Sequence, residues 1–140
     1  MTSKYFTIEK TLFDKVRELA GSMPLDLPNY PLTEYPANEL WIAAHNLRGE
    51  SVPVTLGDTG EDNHKGILQI DFNDSKNSGS GRILKKLDLI ANYFTVGRVL
   101  RYNDIKITIR SCSASAGRTV GNYYRVSLSI EYATRTNRNL

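Results

Sequence analysis

Apolar residues recur along the chain with two periods, which divide it into helices and strands. Ile8, Leu12, Val16 and Leu19 repeat at helical spacing, and Phe13 and Ala20 widen the stripe. Steps of three and four residues put one apolar face on a helix of about four turns. Thr7 is placed to cap its start and Gly21 to end it. A second stripe, Ile83, Leu87, Ile90 and Phe94 with Leu84 and Ala91 beside it, predicts another helix between Ser80 and Gly97. Elsewhere the period is two. Leu68, Ile70 and Phe72 alternate with Gln69 and Asp71 in residues 66–73, and Ile105, Ile107 and Ile109 with Lys106, Thr108 and Arg110. The longest alternation sets Tyr124, Val126, Leu128, Ile130 and Tyr132 against Tyr123, Arg125, Ser127, Ser129 and Glu131. Such alternation is the mark of strands with one buried face.

Residues 40–46 (LWIAAHN) and 52–56 (VPVTL) read as two further strands, and Pro53 limits the second to an edge or a strand start. Residues 99–102 add another, joined by a tight turn at Asn103-Asp104 to the strand that follows. Polar, turn-rich segments at 57–66 (GDTGEDNHKG), 73–81 (NDSKNSGSG) and 113–121 (SASAGRTVG) read as loops. Residues 22–38 hold Pro24, Pro28, Pro31 and Pro36, a density that excludes helix and interior strand. Leu25, Leu27, Tyr30, Leu32 and Tyr35 punctuate this arm. They predict an extended segment packed on its own sheet or on a neighbouring subunit.

The predicted order is α-β-β-β-α-β-β-β. Strands in consecutive runs imply an α+β domain: a mainly antiparallel sheet of five to six strands with both helices packed on one face. Residues 1–132 form one domain. Residues 133–140, with Arg135, Arg138 and no acid, read as a basic, flexible tail.

Composition narrows this picture. A chain of 140 residues buries enough surface to fold without a disulfide or a metal. The single cysteine, Cys112, excludes an intrachain disulfide and fits a reducing compartment. The first residues lack the apolar core of a secretion signal, and no apolar run approaches a membrane span, so cytosolic synthesis is expected. The net charge of +3 is uneven: residues 1–50 hold five Lys/Arg and seven Asp/Glu, and residues 51–140 hold thirteen and eight.

Candidate chemistry is sparse. His45 and His64 have no metal-ligand spacing with each other or with Cys112. Asp58, Glu61, Asp62 and His64 share a segment but lack the calcium-loop spacing. Residues 78–82 (SGSGR) precede a helix without the Lys-Ser/Thr pair of a phosphate loop, and there is no G-x-S-x-G elbow. The expectation is a protein that is not an enzyme and needs no cofactor or metal. Lys106, Arg110, Tyr123 and Arg125 fall on exposed strand positions, where cations and aromatics can hold single-stranded nucleic acid. The same residue types also suit a protein interface.

The layout as a whole resembles the tail terminator, or tail completion, proteins of long-tailed phages, particularly the lambda-like ones with non-contractile tails. The resemblance runs over nearly the whole chain. It is carried by the helix from Ile8 to Ala20, the proline arm leading into LWIAAHN, and the loop GDTGEDNHKG. The strand GILQIDFN, the helix ILKKLDLIANYF, the segment VLRYNDIKITI and the closing strand YYRVSLSIEY complete it. It implies a ring of six subunits on the end of a finished tail tube. That ring stops tube growth, receives the head-completion proteins and lets genomic DNA pass without sequence-specific binding. It also implies a place in the virion, at the head-proximal end of the tail.

Loop placement makes Asp58, Glu61, Asp62 and Arg118 candidates to face the tube or the neck. Arg135 and Arg138 are candidates to border a partner or the DNA channel. Tyr30, Tyr35, Tyr123 and Arg125 are candidates for the subunit interface. Two other readings stay open on the residues alone: another ring protein of the head–tail joint, and a monomeric nucleic-acid-binding α+β module.

Overall fold

The first apolar stripe forms helix α1, Lys4–Ala20, in a computed structural model that describes residues 4–138. The helix begins one turn earlier than a Thr7 cap predicts. Its first turn is held by a tertiary contact, in which Lys4 Nζ donates to the Arg138 carbonyl at 2.7 Å. Thr7 is instead buried within the helix, and its carbonyl accepts a hydrogen bond from the Thr11 hydroxyl. Ile8, Leu12, Phe13 and Val16 are buried on one face, each contributing about 1.5–3 kcal/mol. Gly21 ends the helix with φ +63°, the left-handed conformation that a terminating glycine adopts without strain. The second stripe forms α2, Gly81–Ala91, where Ser80 holds the N-cap position but makes no capping bond. Phe94 lies past the helix end and is still fully buried.

The strands are β1 (Leu25–Asp26), β2 (Trp41–Pro53), β3 (Glu61–Ser75), β4 (Val99–Tyr102), β5 (Ile105–Ala114), β6 (Arg118–Val120) and β7 (Tyr123–Asn137). They form one sheet in the order β1-β2-β3-β7-β5-β4, and β6 pairs with β7 beside this path. Every pairing is antiparallel except the short one between β1 and β2. The α+β reading holds, with seven strands in place of five or six.

Several boundaries move outward. The predicted strands at 40–46 and 52–56 are largely one strand, β2, with an irregularity between Arg48 and Ser51, where Gly49 stands. The predicted loop at 57–66 shrinks, because β3 begins at Glu61. Arg118, expected on a mobile loop, lies in β6. The tail expected to be flexible from residue 133 is strand through Asn137; residues 139–140 lie outside the described residues. One cause underlies these corrections. β3 and β7 pair residue for residue from Glu61–Asn137 to Ser75–Tyr123. The neighbouring backbone supplies the ladder, so polar side chains at the strand ends do not stop it.

One face of the sheet carries the core. Ile42 and Ala44 from β2, Leu68, Ile70 and Phe72 from β3, and Val126, Leu128 and Ile130 from β7 pack against both helices. At the far end of this face Gly66 leaves room for a ring: a Cβ there would stand 2.6 Å from Tyr132 Cζ. Tyr132 is buried and donates its hydroxyl hydrogen to Asn46 Oδ1 at 2.6 Å. The opposite face, here the back face, carries no helix and holds the polar residues of the alternation.

Candidate functional site

Three surfaces stand out, two on the long central strands and one on the proline arm. The first is the tip of the β2–β3 hairpin. Arg138, one residue beyond β7, folds onto it. Its guanidinium donates to the carbonyls of Thr55 (2.8 Å), Gly57 and Glu61 (3.2 Å) and to Asp62 Oδ1 (2.8 Å). Its backbone N–H donates to the Gly60 carbonyl at 2.8 Å. The hydrogen bond from Arg138 holds the Asp62 carboxyl below the usual carboxylate range, and the Asp58 charge also favours the Arg138 cation. One arginine thus braces both the turn that carries Asp58 and the start of the strand that follows it. Glu61 and Asp62 themselves lie on β3, which corrects their placement on a loop. The braced tip presents Leu56, 93% exposed, with Val52 and Val54 behind it.

Arg135 and Arg138, grouped together by the sequence, have different settings. Arg138 is a brace within the fold. Arg135 lies on the back face with Lys106 and Arg110, bordering a shallow depression. Arg118 is remote from the tip. It sits opposite Arg125 on β7, while Glu61 sits opposite Asn137. Twelve residues separate these two positions of β7, about 40 Å at the rise of a strand.

The second surface is the back face at the Arg118 end. Asp71, buried here, accepts hydrogen bonds from the Ser127 hydroxyl (2.6 Å) and Gln69 Nε2 (3.0 Å), and His45 Nε2 lies 3.4 Å from its other oxygen. Arg118 donates in turn to Ser127 Oγ at 3.2 Å. Arg125 donates to Asn73 Oδ1 at 2.7 Å. The serine reaches the carboxylate and not the histidine, so this is not the order of a nucleophilic triad. Burial pushes the Cys112 thiol above its usual value, away from thiolate chemistry. Among the described residues no group of three or more His, Cys, Asp or Glu side chains is placed to hold a metal ion. No described helix is long and apolar enough to cross a membrane.

The third surface is the proline arm. It enters beside β2 as β1, the one parallel strand, and Leu25 and Leu27 pack against the core. Asp26 then shapes the arm by accepting hydrogen bonds from the Leu32 N–H (3.0 Å) and the Tyr35 hydroxyl (3.2 Å). The Tyr35 and Tyr123 rings stand 4.9 Å and 5.3 Å from the Trp41 ring. Two of the interface candidates therefore meet on one buried tryptophan. Tyr30 does not join them: its side chain is 75% exposed at the end of the Leu27–Tyr30 turn, in which Asn29 has φ +55°. Sequence reasoning missed Trp41 as the centre of this cluster and Leu56 as the exposed tip. For Leu56 the signal was present, an apolar residue next to a Gly-Asp turn. For Trp41 it was not, because Tyr123 comes from the far end of the chain.

A family model described as phage tail terminator protein matches residues 7–132. The chain belongs to the phage tail terminator family. The match covers α1 from Thr7 onward, α2, the arm and the sheet up to Tyr132, which are the segments that carried the resemblance. Members of this family are structural proteins of the phage tail, so the protein is a viral tail component. Seven solved chains match in fold. One of them superposes with a TM-score of 0.71 at 19% identity, covering 96% of each chain, which shows a shared fold. The comparison with curated proteins finds no match.

Proposed function

We propose that this terminator ends tail growth by closing a ring, of six subunits, on the finished tail tube. The ring then receives the head-completion proteins and leaves a hole through which genomic DNA passes without base readout. No reaction is catalysed and no cofactor is used. The observation that carries this reading is the family match over residues 7–132. The two ends of β7 support it. One end holds the braced tip with Asp58, Glu61, Asp62 and the exposed Leu56, and the other holds Arg118. A capping ring needs one surface for the tube and another for the neck, and these are separated by the length of the longest strands. The rigid tip suits docking because little conformational freedom is lost on contact.

The test is electron microscopy of tails assembled in cells that lack this protein. Overlong tails, or tails that never join heads, are expected. Tails of normal length joined to filled heads contradict the proposal.

A further inference from the structure

The back face near the hairpin end holds an arrangement that the isolated fold does not favour. Arg101 and Lys106 stand directly opposite one another on β4 and β5. Lys106 precedes the Thr108–Ala133 pair by two residues and Arg135 follows it by two. Like charges facing one another across neighbouring strands are destabilising. Lys65 and Arg110 lie on the same face, bordering two adjoining depressions that share Arg110 and Ala133. None of these five cations has a carboxylate within ion-pair distance among the described residues, although Glu50, Asp104 and Glu131 border the same depressions. Leu47, Ile67 and Ala133 supply apolar surface between them.

The complementary surface lies on the same chain, on the arm at the β1 edge of the sheet. No Lys or Arg occurs between Arg17 and Arg48, while Glu18, Asp26, Glu34 and Glu39 fall in that stretch. Glu34 and Glu39 are exposed, and Tyr30 projects from the proline turn beside them. Four prolines and the bonds to Asp26 hold this turn in one shape, which lowers the entropy lost on docking. Exposed tyrosine is a favoured interface anchor, and its ring suits an apolar floor edged by cations.

We propose that the arm of one subunit docks on the basic back face of the next, with Tyr30 over Leu47 and Ile67 and with Glu34 and Glu39 facing Lys106 and Arg110. The occupant is a second copy of this chain, because the charge and the apolar anchor that the groove calls for are both present on the arm. The arm leaves the sheet at its β1 edge and the groove crosses the back face from β2 to β5, so two different surfaces meet and the contact is head-to-tail, the kind that closes into a ring. This inference rests on the ring reading and names the contact that builds it.

Two experiments test it on the full chain, with and without tail tubes. In the first, Lys106→Glu with Arg110→Glu, and separately Glu34→Lys with Glu39→Lys, are compared with all four changes together. Each reversed pair is expected to weaken ring formation by about tenfold or more, and the combination to restore it. In the second, Tyr30→Cys and Ile67→Cys are combined in a Cys112→Ser background. Oxidation is expected to give a covalent ladder that ends at the closed ring. Rings that form normally in every charge variant and never cross-link overturn the contact and leave the ring reading standing. A parent protein that stays monomeric alone and on tubes overturns the ring reading, and this contact with it.

Discussion

His64 is one residue whose chemistry is settled by its neighbours. It is buried on β3 with its ring against Tyr5 at 5.5 Å. Nδ1 lies 2.7 Å from the Ser51 hydroxyl and Nε2 lies 2.8 Å from the Thr136 hydroxyl. A neutral imidazole needs one donor and one acceptor, and two hydroxyls supply both without charge. Burial lowers the His64 pKa below its usual value, against an opposing pull from the Asp62 charge and with a smaller push the same way from Lys4. The folded protein therefore binds this proton less readily than the unfolded chain. The stabilisation is complete above the unfolded value of about 6.5 and is lost as pH falls from there through the folded value. The melting temperature is expected to fall as the pH drops below about 6.5. His64→Gln is expected to flatten that slope while keeping hydroxyl partners. A wild-type slope retained in the variant contradicts the assignment. Asp74 works in the same direction at lower pH. Burial of this fully enclosed carboxyl opposes ionisation, but hydrogen bonds from Arg82 and the Ser75 N–H outweigh it and hold the pKa below the usual value.

The long hairpin of β2 and β3 shows what one residue does for an element. None of residues 52–62 belongs to the core cluster, so no core packing fixes its tip. Arg138 does so through its fork of donors. Arg138→Ala is expected to destabilise the hairpin tip and to free the amides of residues 55–61. Arg138→Lys restores little, because an ammonium cannot span several acceptors in one plane. Hydrogen exchange at these amides is the measurement, with Arg135→Ala as the control that leaves the tip unchanged. Unaltered protection in Arg138→Ala contradicts the brace. The strand centres were legible in the sequence because one face there is apolar and the other polar: Leu68–Ile70–Phe72 and Val126–Leu128–Ile130. The strand ends were not. At Glu61–His64 and Ala133–Asn137 both faces are polar or half-buried, and the pairing comes from a strand more than sixty residues away. Arg138 shows the same limit. Its partners lie across the sheet, so the sequence offered only a charge near the end of the chain.

At the scale of the molecule, the sheet separates three kinds of surface: a helical face that closes the core, the two ends of β7, and an acidic arm set against a basic back face. The helical face was legible because stripe and alternation demand the same partner. The division of labour among the other surfaces was not, because it depends on which strands the topology places side by side. The candidate residues accordingly sort by place. Asp58, Glu61 and Asp62 belong to the braced tip, and Arg118 and Arg125 to the polar network at the other end. Tyr35 and Tyr123 pack on Trp41, and Tyr30 stands alone on the arm. The central claim is that this chain acts as a closed ring on the tube end. Cryo-electron microscopy of the purified protein added to finished tail tubes tests it most directly. One ring of six copies at a single tube end, with the hairpin tips lying along the tube axis, is the expected result. Tubes with bare ends, or single subunits scattered along their walls, contradict it.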